Sequence, residues 1–116
     1  MTRRGWHSLI CGLALMAVLP GCRAQHLRDS GISAFQVGRT DEARVLLKQS
    51  LDLEPSDGET LYYMGRAMQA DGFYEQAIFY YQSCLQVEPG HKAAQKWLAK
   101  AMEALGPTGR PRVQQQ

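Results

Sequence analysis

Three cysteines and three histidines are the side chains best suited to nucleophilic or metal chemistry here, and their spacing serves neither. A structural zinc site gathers four such ligands, usually in closely spaced pairs. Cys11, Cys22 and Cys84 form no close pair, and His7, His26 and His91 stand alone. No apolar strand pattern leads into a glycine-rich phosphate loop. The carboxylates are scattered over the starts of apolar-periodic segments, where they serve as helix caps rather than as acid–base pairs. No metal, no cofactor and no enzymatic activity are expected. What chemistry remains rests on Cys22 and on the surface that the helices present.

Cys22 ends a distinctive leader. Arg3 and Arg4 begin it, and an apolar run follows from Leu9 to Leu19. A spanning helix needs ~20 apolar residues, so this run is too short to cross and stop. A charged start, a short apolar stretch and small residues after it are the pattern of a secretory signal. Leu19-Pro20-Gly21-Cys22 resembles the lipobox of bacterial lipoproteins. That resemblance implies a signal peptide over residues 1–22, a diacylglycerol thioether on Cys22, cleavage before it and acylation of the new amino terminus. Ordinary cleavage after Ala24 is the alternative. The Arg3-Arg4 pair also resembles a twin-arginine signal, but Gly5-Trp6-His7 continues it poorly. With the leader gone, Cys84 alone remains, so no internal disulfide can brace the domain. Its place among small apolar positions makes Cys84 a packing residue.

The whole chain carries +2, and losing Arg3 and Arg4 leaves eleven Lys+Arg against eleven Asp+Glu. Such a balance gives no basis for nucleic-acid binding, which needs a strongly basic surface. The charges are segregated all the same. Asp41, Glu42, Asp52, Glu54, Asp57 and Glu59 crowd one stretch, and Lys92, Lys96, Lys100, Arg110 and Arg112 another.

The elements behind these residues follow a period of 34: Gly38, Gly72 and Gly106 are that far apart. Leu27 and Leu61, Gly31 and Gly65, Ala43 and Ala77, Leu51 and Leu85, Glu54 and Glu88, and Pro55 and Pro89 keep the same interval. A repeat of this length marks a stacked helix–turn–helix unit. The first unit covers 24–57, the second 58–91 and a terminal half unit 92–106. A tail over 107–116 shows no apolar periodicity and is expected to be disordered. The first helix is expected over Gln25–Gln36 and the second from Thr40 or Asp41, one of which caps it, to Leu53. Pro55 breaks the chain there and makes Glu54 extended. Ser56 with Glu59 reads as a capping box for the third helix. Leu61, Met64, Gly65 and Met68 form the apolar face of that helix. Ala77, Ile78, Tyr81, Cys84 and Leu85 form that of the fourth, and Leu98, Met102 and Leu105 that of the fifth.

Leu61, Met64-Gly65, Met68, Gly72, Tyr74, Ala77, Tyr81, Cys84 and Pro89 make the second unit resemble a tetratricopeptide repeat. The first keeps Leu27, Gly31, Gly38, Ala43, Leu47, Leu51 and Pro55, with Ser30 where Met64 stands. The resemblance covers residues 24–106. It implies an all-α fold of TPR-type helical hairpins, two repeats plus a C-terminal capping helix. Gly65 and Ala77 are then small so that two helices can approach, with Tyr81 and Met64 filling the space beside them.

In that family the first helix of each unit lines a peptide-binding groove. By this likeness Arg28, Tyr62, Arg66, Gln69, Lys96 and Lys100 are the candidate partner-binding residues, joined by Phe35, Tyr63 and Trp97. A mixed aromatic and basic surface suits an acidic or amphipathic protein segment. Packing of the aromatics between helices is the competing reading, and a solvated face competes for the lysines Lys92, Lys96 and Lys100. Some members clamp a terminal carboxylate with lysine and asparagine, but Arg28, Ile32 and Tyr63 occupy those places here. Leader and repeats together resemble the lipoproteins that assist assembly of pili and secretion channels. The expectation is a lipid-anchored adaptor in a bacterial cell envelope that holds a protein or peptide client. Arg23 after the cysteine, where an inner-membrane retention signal would place Asp, directs it to the outer membrane, facing the periplasm. A self-assembling homo-oligomer and a soluble periplasmic binding module are the alternatives.

Overall fold

The chain is described by a computed structural model over residues 19–107. Of the leader expected over residues 1–22, residues 1–18 lie outside the described residues, as does the expected tail from residue 108 onward. Among the described residues five α-helices follow one another: α1 Pro20–Gln36, α2 Thr40–Leu53, α3 Gly58–Ala70, α4 Tyr74–Val87 and α5 Lys92–Leu105. α1 packs on α2, and α3 on α4, as two hairpins. α3 also lies against α2, and α5 against α4, so the units stack in chain order. Every element among the described residues is a helix, as the period requires.

The two hairpin turns are copies. Gly38 and Gly72 take φ +85° and +83°, a region closed to most side chains. In each turn the next residue reaches back over the helix end: Arg39 N donates to Ala34 O and Phe73 N to Met68 O, both at 2.9 Å. These bonds satisfy carbonyls that the ending helix leaves open. The breaks between units are copies too. Glu54 (φ −134°, ψ 88°) and Glu88 (φ −129°, ψ 84°) are both extended, each held so by the proline that follows.

Within each hairpin a glycine meets a large side chain. A Cβ at Gly31 would stand 2.8 Å from Leu47 Cγ, and one at Gly65 would stand 2.5 Å from Tyr81 Cε1. Around these contacts lie two apolar clusters. One joins Ala34, Ala43, Leu47 and Met64, and the other Leu61, Tyr62, Ala77, Tyr81, Cys84, Ala94 and Ala101. Leu51, Tyr63, Met68 and Tyr80 pack against both and make one core of them. The Tyr81 hydroxyl is satisfied by Gln69 Oε1 at 2.7 Å, and burial pushes its phenol well above the usual range. Burial also pushes the Cys84 thiol up to about 11, with Glu88 and Asp57 adding to the shift.

Polar ties fasten one unit to the next. Arg28 of α1 pairs with Asp57 at 3.0 Å, and Thr60 Oγ1 donates to the same carboxylate oxygen. At the other edge Thr40 Oγ1 donates to Asp71 at 2.9 Å. Arg44 reaches Asp71 at 3.3 Å, pairs with Asp41 and lies over the Phe73 ring.

Four expectations change in detail. α1 begins at Pro20, not Gln25. Proline is pre-set for the first helical position, and Ala24 already faces inward, fully buried, with its carbonyl accepting from Ser50 Oγ at 2.8 Å. α2 has Arg39 at its N-cap position with no side-chain cap, because the Thr40 hydroxyl is engaged by Asp71 and lies inside the helix. α3 is capped by Asp57, which accepts from Glu59 N at 3.2 Å, rather than by Ser56. In α5 the buried residues are Ala94, Ala101 and Leu105, whereas Met102 is 52% exposed. Met102 faces the side where a further helix would stand in a longer array.

Candidate interaction surface

The first helices of the three units carry the residues singled out for binding, and the structure divides them into two groups. Tyr62, Gln69 and Arg28 work inside the fold. Tyr62 is only 8% exposed, its ring 5.1 Å from Tyr63 and 5.0 Å from His91. Gln69 holds the Tyr81 hydroxyl. Arg28 faces Asp57, Asp29 at 3.3 Å and Glu59 at 3.6 Å. Partial burial works against its charge, but the hydrogen bonds to Asp57 and Asp29 outweigh that and raise its pKa.

Arg66, Trp97 and Lys100 form the second group. The Arg66 guanidinium lies over the Trp97 ring, 3.5 Å from its centroid, and the Lys100 ammonium stands 4.4 Å from the same ring. Arg66 also sits 5.4 Å from the Phe35 ring and donates to the Tyr62 hydroxyl at 2.9 Å. Phe35 in turn meets Tyr63 edge to face, with centroids 5.9 Å apart. The result is a continuous aromatic–cationic column from α1 across α3 to α5. Each cation on a ring adds ~0.5–2 kcal/mol, which biases the side chains toward this placement. Trp97 is half-buried, so packing and display share the same ring.

The ion pairs elsewhere sharpen the contrast. Arg28, Arg39, Arg44 and Lys48 each have a carboxylate within 4 Å, whereas among the described residues no carboxylate lies that close to Arg66, Lys96 or Lys100. Lys96 is exposed and stands outside the stack. Two surface depressions lie elsewhere. One of about 450 Å³ lies between α1 and α2 beside Ser30, Ser33 and Val37, and one of about 560 Å³ lies beside Leu53–Asp57. The column runs along α1, α3 and α5, apart from both depressions.

His91 has a structural duty. Its Nδ1 accepts from Ala94 N at 3.1 Å and caps α5. Histidine is an uncommon cap, so nothing short of the boundary after Pro89-Gly90 hinted at it. Ser50 was equally silent in the sequence, since a serine within a helix shows no sign that it will hold a carbonyl of another helix. Cys22 lies in the first turn of α1, exposed, with Arg23 alone between it and buried Ala24. Among the described residues no group of His, Cys, Asp and Glu could hold a metal ion, and no helix is long and apolar enough to cross a membrane.

No family model matches the chain. It is similar to the small glutamine-rich tetratricopeptide repeat-containing protein 2 of Mycosarcoma maydis, 31% identical over 70 residues. That likeness covers 60% of this chain but 20% of the other protein, so the chain spans about a fifth of the relative's length. Matched turns, matched breaks, five helices and this likeness agree: the fold is an all-α array of TPR-type helical hairpins, two repeats and a terminal helix, the architecture of a protein–protein interaction module.

Proposed function

We propose that the chain is a non-catalytic adaptor of a bacterial cell envelope, anchored through Cys22, that holds an acidic segment of a client protein along the column of Phe35, Tyr63, Arg66, Trp97 and Lys100. The observation that carries this reading is the Arg66–Trp97–Lys100 stack. Two cations are held in place by one aromatic ring, with no carboxylate of the described residues beside them. An acidic side chain arriving there meets pre-positioned donors, so little side-chain freedom is lost on binding. The adjoining rings supply the apolar anchor that interface hot spots need.

The test uses the full chain in mild detergent, in a Trp6→Phe background so that Trp97 reports alone. Titration with a glutamate-rich peptide should change Trp97 emission saturably, and its glutamine counterpart should not. Arg66→Ala should abolish the response, and added salt should weaken it. Equal responses to both peptides would exclude recognition of acidic segments.

The anchor rests on Leu19-Pro20-Gly21-Cys22 and on the exposure of Cys22. Cells fed a palmitate analogue should label the wild type and not Cys22→Ser. An unlabelled wild type would leave an unanchored periplasmic binding module. Delivery to the outer membrane, read from Arg23, is checked by fractionating the labelled protein. The combination suits a factor that holds a subunit or pore protein while a pilus or secretion complex is built. Crosslinking in cells, followed by mass spectrometry, identifies that client.

A further inference from the structure

α5 repeats the design of α3 one period later, but it has no following helix among the described residues. In α3, Leu61 and Gly65 are buried and Met68 half-buried against neighbouring helices. Their counterparts Gln95, Ala99 and Met102, together with Glu103, are all exposed. We propose that a second copy of this chain covers this face, α5 pairing antiparallel with α5 about a twofold axis at Ala99. The proposal depends neither on the anchor nor on the acidic client.

Two observations select this occupant. The first is continuity with the hairpins of the array itself. There a small residue, Gly31 or Gly65, sits where the facing helix leaves no room for a Cβ. Ala99 is the small residue at the same position of α5. A helix running the other way is what that position receives in both complete units, and a twofold axis across α5 supplies one.

The second is the order of charge. At 100° per residue, Lys92, Lys96 and Glu103 fall within about 40° of one another on the helix. With a rise of ~1.5 Å per residue, Lys96 stands about 4.5 Å before Ala99 and Glu103 about 6 Å after it. Antiparallel pairing about Ala99 therefore brings Glu103 of the second copy level with Lys96, with Lys92 beside it, and symmetry repeats the contact. Parallel pairing would set lysine against lysine. Met102 then loses its exposure against the second helix, on the flank opposite the ion pairs.

The experiment places a photoreactive benzoylphenylalanine at position 99 of the full chain, in cells and in detergent. Illumination should give a product of twice the chain's mass, with both linked peptides drawn from α5. The same probe at Val45, exposed on α2, should give none. Glu103→Lys should reduce the position-99 product severalfold, and Lys96→Glu added to it should restore the yield. Absence of the doubled product, its appearance equally from Val45, or indifference to Glu103→Lys would overturn the proposal. A product containing only other proteins would give the face to a client and overturn it as well.

Discussion

Position 65 has room for a hydrogen and little more. Tyr81 cannot yield to a Cβ there, because its ring is fully buried and its hydroxyl is held by Gln69. Gly65→Ala should therefore destabilise the protein by about 1–3 kcal/mol, as overpacking does. Gly58 offers the contrast. A Cβ there would meet the Glu88 side chain, 2.6 Å from Oε1, but that chain is long, exposed and can swing away. Gly58→Ala should be neutral or gain up to ~1 kcal/mol from helix propensity. Urea denaturation of the two variants against the wild type checks both signs. Cys84 gives a pH test. Its folded pKa, about 11, lies above the ordinary 9.0, so the folded state keeps its proton longer. Below about 9 both states hold the proton and stability is flat in this respect. Between about 9 and 11 the unfolded chain releases it first, and stability should fall with rising pH. Cys84→Ala, compared with wild type over that window, isolates the effect. At pH 8 iodoacetamide should modify buried Cys84 far more slowly in the folded protein than in the urea-unfolded one.

Helix ends separate what pattern reveals from what partners decide. The glycine turns, the proline breaks and the extent of α2 were legible, because each rests on a local backbone restriction at Gly38, Gly72, Pro55 and Pro89. Caps were less so. Ser56 and Asp57 are both competent acceptors, and the choice fell to Asp57 because Arg28 and Thr60 converge on its carboxylate from two helices. The same limit applies to the binding residues. The family likeness groups Arg28, Tyr62, Arg66 and Gln69, but only contacts between helices show that Arg28, Tyr62 and Gln69 are engaged internally and that Arg66 lies among the Phe35, Tyr62 and Trp97 rings. Asp57→Ala removes a cap, a hydroxyl acceptor and the partner of Arg28 together. It should cost about 2–4 kcal/mol, more than a cap alone, which is typically ~1 kcal/mol. His91→Ala should cost only that single cap, and His91→Asn should recover most of it. Thermal melts followed by circular dichroism rank the three.

Across the whole array of described helices, the core leans on α5. Ala94 and Ala101 of α5 sit in the same cluster as Leu61, Tyr62, Ala77, Tyr81 and Cys84. Ending the chain at Gly90 would bare that cluster, and with fewer than three stacked helix pairs little else compensates. Such a truncation should lose its cooperative melt, which calorimetry would register. The period of 34 made the stacking legible, but not how one end of the stack meets the rest of the chain. There Cys22 already lies in the first turn of α1, and Ser50 grips Ala24 two residues further on. On the proposed anchoring, the acyl chains would hang from a rigid shaft instead of a leash. The recognition column would then keep a constant heading relative to the lipid plane, and an incoming client would have to approach along one bearing.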